Sequence, residues 1–450
     1  MYDLIIVGAG PAGYLAAERA GAAGLSTMLI EKSNLGGVCL NEGCVPSKTI
    51  LHSSKLYNQA MNSQAYGVTV SEAVFNLSVV MARKEKLIES LRKGIAATLK
   101  KNRVTVETGE GKILPKQNDA FVVQVADKKI EGKRLLICTG SEAIRPPIPG
   151  ADQKFVFTNR EMLSVDFIPD RLVVVGGGVI GLEMATFFAE VGSKVTIVEM
   201  LSSIGGPIDS EISGILQKEL EKKGIVFRLM AKVTGVGDRS VTIVQDGKTE
   251  VLGADIVLMS VGRRPVIKGF GIENINVYCE KGSIKTDEHG RTNIPNVWAA
   301  GDVNGMSMLA HTAYREGEVC ISDMLGKKDR MRYNAIPGVI YTHPEVAVVG
   351  ATLEEAAKLG YDATCAKLPL SFNGRYLAEN EAGRGICKVV IDKQYGTVLG
   401  IHMIGGACSE MIFGAATMIE NELRVSDVKE IVFPHPTVSE IIKDTVWHSS

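Results

Sequence analysis

The same glycine-rich pattern occurs twice in this chain of 450 residues, and it restricts the possible folds more than any other feature. Each copy consists of an apolar strand, a glycine turn, a helix start rich in small residues and a second apolar strand that ends in an acid. Three glycines and the acid recur at a constant separation of 168 positions: Gly8 with Gly176, Gly10 with Gly178, Gly13 with Gly181, and Glu31 with Glu199. This duplication predicts an α/β protein with two Rossmann-like domains.

Each residue type in the pattern has a physical role in binding a dinucleotide. The first glycine permits a tight turn, the second lets the backbone approach a pyrophosphate, and the third allows the helix and strand to pack closely. The helix N-terminus adds unpaired N–H groups and a positive dipole, and the acid can accept hydrogen bonds from ribose hydroxyls. We therefore predict two dinucleotide sites. A carboxylate at Glu199 would repel a 2′-phosphate, and no arginine cluster follows it in MLSSIGG, so the second site favours NAD over NADP.

The segments after each repeat indicate how the domains are divided. LLICTGS (135–141) and IVLMSVGRRP (256–265) each read as a closing strand, while NVWAAGDV (296–303) reads as a further strand that returns to the first domain. The proline-rich RPPIPG (145–150) reads as the linker where the chain first leaves that domain. The predicted boundaries are 1–147 with 267–333 for a discontinuous first domain, 148–266 for the second, and 334–450 for a C-terminal α+β domain without a phosphate loop.

Composition and charge exclude several classes of function. The formal net charge of −1 gives no electrostatic case for binding nucleic acid or an anionic membrane. The first residues run directly into a strand instead of a signal peptide, and no uncharged apolar run approaches the ~18 residues of a membrane span. We expect a cytoplasmic protein with no nucleic-acid partner, no membrane partner and no metal site.

Cys39 and Cys44 are the closely spaced pair among eight cysteines, and they lie in GGVCLNEGCVPSK (36–48). A zinc site would need four ligands, and no second pair has matching spacing; two inert thiols near a turn are another interpretation. The third interpretation is a redox disulfide. In a regular helix the two Cα atoms would be ~8–9 Å apart, beyond the ~7 Å that a disulfide tolerates. A bridge therefore needs a distorted helix, which Gly43 and Pro46 can supply, and a strained, accessible bridge is easily reduced.

Six motifs, distributed over almost the whole chain, resemble those of one family. They are GGVCLNEGCVPSK, GGGVIGLE, the strand end Gly301-Asp302, MLAHTA (308–313), YTHPEVAVVG (341–350) and HPTVSE (435–440). By these motifs the chain resembles the pyridine nucleotide-disulfide oxidoreductases. Glu42 and Glu199 favour the branch that acts on lipoamide over the branch that acts on glutathione. The resemblance implies an NAD-dependent flavoenzyme that oxidises dihydrolipoamide through a disulfide.

The resemblance also implies the two cofactors, with FAD at the first glycine repeat and NAD at the second. The implied FAD contacts are Gly8, Gly10, Gly13, Glu31, Gly37, Val38, Cys39, Lys48, Gly111, Thr139, Gly140, Ser141, Asp302, Met308, Leu309, Ala310 and His311. The implied NAD contacts are Gly176, Gly178, Val179, Ile180, Gly181, Glu199, Val233 and Gly262.

Six residues have implied catalytic roles. Cys39 is implied to exchange with the substrate dithiol, and Cys44 to be the thiolate beside the flavin. Lys48 is implied to lie near the flavin, paired with Glu183. The remaining two are a base and the carboxylate that orients it: His435 and Glu440.

The reaction has a chemical need for such a base. A dithiol attacks as its thiolate, yet thiols with a pKa of ~8.5 are mostly protonated at neutral pH, and an imidazole of pKa ~6.5 can accept the proton. A local alternative is that Pro436 begins a helix, with Glu440 near the positive end of its dipole. His343 is expected to be structural.

The resemblance implies an obligate homodimer in which each disulfide is served by His435 of the partner subunit. It also implies a separate lipoyl-carrying protein, from a 2-oxo acid dehydrogenase or glycine cleavage complex. Other functions stay open at this point: a flavoprotein reductase of another small disulfide, a transhydrogenase or NADH oxidase, or a flavin redox sensor. A transhydrogenase or oxidase would not need both Cys44 and the histidine–glutamate pair.

Overall fold

The computed structural model describes residues 1–380 and 384–449, so positions 381–383 and 450 of the predicted C-terminal domain lie outside the described residues. The strands are β1 (Leu4–Val7), β2 (Thr27–Glu31), β3 (Thr105–Thr108), β4 (Gly111–Gln117), β5 (Ala120–Val125), β6 (Lys128–Gly132), β7 (Leu135–Ile137), β8 (Ser141–Ala143), β9 (Val156–Phe157), β10 (Arg171–Val175), β11 (Lys194–Val198), β12 (Val226–Arg228), β13 (Ala231–Gly237), β14 (Ser240–Gln245), β15 (Lys248–Gly253), β16 (Ile256–Met259), β17 (Arg263–Pro265), β18 (Cys279–Glu280), β19 (Ser283–Ile284), β20 (Val297–Ala299), β21 (Gly338–Ile340), β22 (Glu345–Gly350), β23 (Ala363–Pro369), β24 (Ile386–Asp392) and β25 (Val398–Gly405).

The α-helices are α1 (Pro11–Ala22), α2 (Gly37–Glu42), α3 (Cys44–Met61), α4 (Leu77–Lys101), α5 (Asn159–Met162), α6 (Val179–Glu190), α7 (Ser210–Lys222), α8 (Ala310–Met324), α9 (Leu353–Lys358), α10 (Gly374–Glu379), α11 (Cys408–Glu420), α12 (Val425–Glu430) and α13 (Glu440–Trp447). Short 3-10 turns occupy Ser63–Tyr66, Ile272–Ile275, Asp302–Asn304 and Leu370–Phe372.

The first compact unit is assembled from three separate segments, Met1–Ser47, Val79–Ile144 and Gly262–Arg332. Its central sheet is parallel, with strand order β20-β7-β1-β2-β3. β20, which follows the second glycine repeat in sequence, therefore pairs with β7 inside the sheet of the first repeat. The antiparallel sheet β4-β5-β6 belongs to the same unit.

Both faces of this parallel sheet are buried because alternate residues of its strands point to opposite sides. Ile5 and Val7 pack into one apolar cluster with residues of β4 and β5, and Leu4 and Ile6 pack into another with residues of α1 and α8. Small residues allow α1 and α8 to approach closely, since a Cβ added to Gly317 would lie 2.7 Å from the carbonyl oxygen of Ala12.

The second compact unit comprises Lys48–Ser78, Arg145–Val261 and Tyr333–Ser450. It contains a second parallel sheet of order β12-β11-β10-β16-β9 with the antiparallel sheet β13-β14-β15, and a five-stranded sheet of order β21-β22-β25-β24-β23. The last sheet packs with α11 and α13 around its own apolar cluster. Two parallel Rossmann-like sheets and a C-terminal α+β segment confirm the predicted fold class.

The exact boundaries of the three predicted domains stay a prediction, because the two compact units divide the chain differently. Within the described part of the chain, no helix has both the length and the apolar character required to cross a membrane.

Candidate active site

The first glycine loop joins β1 to α1 with the close contacts that the sequence pattern predicts. Gly8 has φ +100°, and a Cβ there would lie 2.2 Å from the carbonyl oxygen of Cys138. A Cβ on Gly13 would lie 1.8 Å from the carbonyl oxygen of Gly8. A side chain at either position would force α1 away from the sheet. The second loop is built alike, with a Cβ on Gly181 placed 2.2 Å from the carbonyl oxygen of Gly176.

Each predicted acid binds the backbone of its own glycine loop. Glu31 accepts the N–H of Ala9 at 2.7 Å with one carboxylate oxygen and the N–H of Ser33 at 2.9 Å with the other. Glu199 accepts the equivalent N–H groups of Gly177 at 2.7 Å and Leu201 at 2.8 Å. The acids therefore hold the loop as well as offering the remaining lone pairs to a ribose.

The sequence reasoning missed that the repeat extends to a pair of glycines beyond each acid. The N–H of Gly36 donates to the carbonyl of Ala9 at 2.8 Å, and the N–H of Gly205 donates to the carbonyl of Gly177 at 2.8 Å. Both glycines, and the glycine after each, have positive φ. The signal in the sequence was the recurrence of LGG and IGG, with one extra residue in the second copy.

Cys39 and Cys44 lie on two helices separated by a break. Cys39 is half-buried in α2, and Cys44 is exposed as the first residue of α3. Gly43 between them has φ −147° and ψ −109°, outside the helical region. The structure therefore has the distorted helix that a bridge would need, and Gly43 supplies it.

Asn41 and Arg92 hold this cysteine segment against the glycine loop. The side-chain amide of Asn41 donates to the carbonyls of Leu35 at 3.1 Å and Gly37 at 2.7 Å. Its side-chain oxygen accepts a hydrogen bond of 2.5 Å from Arg92 of α4. A Cβ on Gly37 would lie 2.6 Å from the Cα of Gly10, so the start of α2 packs directly on the start of α1.

Two tyrosines near the cysteines were also missed. The hydroxyls of Tyr14 on α1 and Tyr314 on α8 are 2.5 Å apart, and their rings meet edge to face. Burial raises the pKa of both tyrosines, with a smaller upward contribution from the charge of Cys39. Both therefore stay protonated hydroxyls at neutral pH. Nothing in a single sequence pairs residues 300 positions apart.

Ser141 and Asp302, both predicted FAD contacts, are linked by a hydrogen bond of 2.5 Å. Arg263, which the sequence reasoning did not select, donates to the hydroxyl and to the carbonyl of Ser141, each at 2.8 Å. Burial lowers the pKa of the Arg263 guanidinium, against the opposing charges of Asp302, Glu42 and Cys44. This arginine places a fixed positive charge near the cysteine segment.

The other predicted cofactor residues have varied surroundings. Gly111 opens β4, the hydroxyl of Thr139 donates to the carbonyl of Val266, and Gly140 has φ +69°. The predicted segment from Met308 to His311 spans the start of α8, and its side chains are largely exposed.

Two of the predicted NAD contacts lie in unexpected surroundings. Val233 lies within β13 and is 5% exposed, with its side chain in an apolar cluster, so only its backbone could contact a nucleotide. Gly262 begins the last segment of the first compact unit, whereas the other predicted NAD contacts lie in the second unit.

Lys48 and Glu183 are in contact although 135 positions separate them. The ammonium of Lys48 lies 2.9 and 2.8 Å from the two carboxylate oxygens of Glu183, whose side chain is 3% exposed. The N–H of Tyr341 also donates to Glu183 at 3.1 Å, and the ammonium lies 4.4 Å from the centre of the Tyr341 ring. The buried carboxylate of Glu183 thus fixes the position of the Lys48 ammonium.

His435 and Glu440 are also in contact. The imidazole Nδ1 lies 3.0 and 3.2 Å from the two carboxylate oxygens, and the imidazole is 81% exposed. A backbone N–H from Thr437, with a smaller contribution from His435, lowers the pKa of Glu440. The local alternative is wrong about the helix start, because the helix begins at Glu440 and not at Pro436, but Glu440 does lie in the first turn, near the positive end of the dipole. Glu440 accepts the N–H of Thr437 before the helix and binds Nδ1 of the largely exposed His435 imidazole.

The residues present fit the two predicted nucleotides. Gly10 and Gly178 precede the first turns of α1 and α6, and no described side chain caps either N-terminus. Among the described residues, no atom lies within 4 Å of a Cβ added to Gly178, which leaves room for a phosphate. The side chains of Met200 and Leu201 after Glu199 are exposed and uncharged, as a ribose without a 2′-phosphate requires.

Comparison with known families gives two matches along the chain. Residues 2–317 match the family described as pyridine nucleotide-disulphide oxidoreductase, and residues 336–446 match the dimerisation domain of the same family.

Individual proteins similar to the chain include two mitochondrial enzymes and one solved structure. Mitochondrial dihydrolipoyl dehydrogenase of Pisum sativum is 38% identical, over 98% of this chain and 90% of that protein. The human mitochondrial dihydrolipoyl dehydrogenase is 37% identical, over 98% of this chain and 89% of that protein. The HOCl-induced flavoprotein disulfide reductase RclA of Escherichia coli has a TM-score of 0.88 and 27% identity, with 100% of both chains covered.

Proposed function

The chain belongs to the pyridine nucleotide-disulphide oxidoreductase family, and within this family we propose that it oxidises dihydrolipoamide and reduces NAD. The observation that carries the proposal is the helix break at Gly43, which separates Cys39 and Cys44 beside the first glycine loop. The choice of dihydrolipoamide is supported by the His435–Glu440 contact and by the higher identity to the two dihydrolipoyl dehydrogenases than to RclA.

The first half-reaction is a thiol–disulfide exchange at Cys39. One thiol of dihydrolipoamide gives its proton to a histidine base and attacks the sulfur of Cys39 as a thiolate. A bond forms between the substrate sulfur and Cys39 as the Cys39–Cys44 bond breaks, and Cys44 leaves as a thiolate with the electron pair. The second substrate thiol then loses its proton to solvent and attacks the substrate sulfur of the mixed disulfide. The bond between that sulfur and Cys39 breaks, which releases oxidised lipoamide and the thiolate of Cys39.

The base in this scheme is His435 of the partner subunit. Its Nδ1–H donates to Glu440, so the tautomer that leaves Nε2 free to accept a proton is favoured. After proton transfer, the adjacent carboxylate stabilises the imidazolium. This assignment requires a homodimer, and the match of residues 336–446 to the family's dimerisation domain supports one.

FAD and NAD are the cofactors of this family, as predicted; when bound, FAD would supply a two-electron carrier between the reduced cysteine pair and NAD. The chain contributes the loops that bind both nucleotides and, in this proposal, a cation at Lys48. Glu183 holds that cation by two hydrogen bonds and is itself held by the N–H of Tyr341. The electron donor is proposed to be a lipoyl-carrying protein of a 2-oxo acid dehydrogenase or glycine cleavage complex.

Replacement of either cysteine tests the proposal. Cys39→Ser and Cys44→Ser should abolish NADH formation from dihydrolipoamide while the flavin stays bound, since neither serine can form the disulfide. Cys279→Ser is a matched control, because Cys279 is half-buried in β18 and burial raises the pKa of its thiol. Rapid NADH formation by either variant would overturn the proposal.

Comparison of substrates tests one of the alternatives, a reductase of another small disulfide. Wild-type protein should oxidise dihydrolipoamide faster than NADH reduces other low-molecular-weight disulfides. The reverse order would assign the RclA-like function instead. His435→Gln should slow the dithiol half-reaction and spare the reduction of the flavin by NADH. An unchanged rate of the dithiol half-reaction in this variant would leave His435 without a catalytic role.

A further inference from the structure

A second buried carboxylate lies on the same helix as Glu183. Glu190 is the last residue of α6, and seven residues are nearly two helical turns, so both side chains leave the same face. The side chain of Glu190 is 1% exposed and accepts three hydrogen bonds. The donors are His343 Nδ1 at 2.8 Å, Lys223 Nζ at 2.9 Å and Ser54 Oγ at 2.7 Å. We call this group the Glu190 clamp.

The Glu190 clamp joins the same three elements as the contacts of Glu183. Glu183 binds Lys48 of α3 and Tyr341 of the segment 341–343. Glu190 binds Ser54 of α3 and His343 of that segment. Along α6, the Cα atoms of Glu183 and Glu190 are about 10 Å apart. Along α3, the Cα atoms of Lys48 and Ser54 are about 9 Å apart, which is a similar spacing.

Stability alone does not explain a carboxylate at this position. The C-terminus of a helix is the negative end of its dipole, which disfavours an acid there. Burial alone would raise the pKa of Glu190, but the hydrogen bond and charge of His343, with Lys223, lower it below its ordinary value. The group is therefore ionised at neutral pH. Replacement of a whole buried ion pair by apolar side chains of similar volume is often neutral for stability, whereas the hydrogen bonds of a charged group fix the orientation of its partners.

We propose that the Glu190 clamp positions Lys48 by holding α3 and the segment 341–343 against α6. The inference rests on the proposed function, in which Lys48 is the cation beside the flavin. α3 is continuous from Cys44 to Met61, so a displacement at Ser54 is carried to Lys48. A shift of ~1 Å at a reacting group can slow a reaction about 100-fold. Glu190 and His343 are thus positioning residues, and His343 has more than the structural role expected from the sequence.

Chemical labelling of lysines tests the clamp without reference to turnover. In the full-length, FAD-loaded protein, His343→Ala should raise the rate of acetylation of Lys48 by acetic anhydride about fivefold, equivalent to about 1 kcal/mol in the hold on its ammonium. Lys55 on the same helix is the internal control, since its side chain is 39% exposed against 34% for Lys48. His343→Asn should restore the slow rate, because its amide N–H can replace the imidazole Nδ1–H.

Equal acceleration at Lys48 and Lys55, or no acceleration at Lys48, would overturn the inference, because the first means general loosening of α3 and the second means no coupling. Glu190→Gln provides a second route if His343→Ala does not fold, and it should also raise the labelling of Lys48 selectively.

The midpoint potential of the flavin gives a further readout. His343→Ala should shift this potential in the same direction as Lys48→Met, and it should add no shift in a chain that already carries Lys48→Met. An additive shift would show that His343 acts independently of Lys48 and would contradict the inference. If Lys48→Met alone leaves the potential and the reduction by NADH unchanged, the proposed role of Lys48 fails, while the labelling result still decides whether the clamp holds Lys48.

Discussion

The chain leaves the first glycine loop through Gly36 and Gly37 and leaves the second through Gly205 and Gly206, and these two exits lead to different structures. After the first exit come the short helix α2, the break at Gly43 and the long helix α3, with one cysteine on each side of the break. After the second exit, Asp209 caps α7, and its carboxylate accepts the N–H groups of two residues in the first turn.

The two copies differ only beyond the part of the scaffold that they share. Up to the glycine pair, both loops make equivalent hydrogen bonds through Glu31 and Glu199. These bonds fix the glycine loop in both copies, and the sequence predicts a nucleotide at each loop. Beyond the pair this shared constraint no longer applies, so one copy can carry a broken helix with two cysteines and the other an ordinary capped helix.

The largest expected effects come from the third glycine of each loop. Gly13→Ala should prevent FAD retention and Gly181→Ala should prevent NAD binding, because each new Cβ would lie 1.8 or 2.2 Å from a carbonyl oxygen. The flavin content and the quenching of flavin fluorescence by NADH measure the two sites separately. The Gly181→Ala protein should stay yellow and still be reduced by dihydrolipoamide. Loss of both nucleotides in both variants would mean that the loops do not act separately.

Asp209→Ala should lower the free energy of unfolding by about 2–3 kcal/mol, since it removes a helix cap and one partner of the buried ion pair with Lys388, whose atoms are 2.6 Å apart. Urea unfolding at pH 7 measures this loss, and FAD should stay bound in the native variant. The same change at Asp166, which is exposed, should alter stability by less than about 0.5 kcal/mol.

The pH dependence of Asp209→Asn separates its charge from its cap. Burial opposes ionisation, but hydrogen bonds from Lys388 and Ile212 lower the pKa of Asp209 below its ordinary value of 3.8. The stability that this charge contributes is therefore fully present above about pH 4 and is lost as the pH falls through the lower folded value. The difference in stability between wild type and Asp209→Asn should shrink in that acid range. A difference that grows in acid would contradict the ion pair.

A smaller effect is expected from the acid of the second loop. Glu199→Gln should raise the ratio of kcat/KM for NADP to kcat/KM for NAD by about tenfold, because a neutral side chain no longer repels a 2′-phosphate, an energy of about 1.4 kcal/mol. The equivalent change in the first loop, Glu31→Gln, should leave this ratio unchanged and weaken FAD retention instead. A change of the ratio in both variants would show that the two sites are not independent.

The smallest effect is expected in α7, the ordinary helix. Gly214 lies inside α7, and among the described residues nothing is within 4 Å of a Cβ added there. Gly214→Ala should therefore stabilise the protein by about 0.5–1 kcal/mol in urea unfolding, through helix propensity alone. The rate of NADH formation should stay unchanged as a control. A loss of stability would mean that this face of α7 makes a contact that the added methyl group disrupts.

Much of the fold and part of the candidate site were predictable from the sequence. The two Rossmann-like sheets, the positions of Glu31 and Glu199 and the need for a break near Gly43 all follow from short segments. Arg263 and the pair of Tyr14 and Tyr314 could not be predicted, because their partners lie far away in sequence. The functional roles of the predicted site residues stay a prediction.

By itself, the sequence determined the features that depend on local backbone geometry. These are glycines where a Cβ would collide with a carbonyl, an acid at the end of a strand, and two cysteines whose spacing rules out a disulfide within a regular helix. Only the tertiary structure decided which distant groups meet, including β20 beside β7, Lys388 against Asp209 and His343 against Glu190. The physical reason is that a backbone constraint acts within a few residues, whereas a buried charge selects its partners from whatever elements the packing brings within hydrogen-bonding distance.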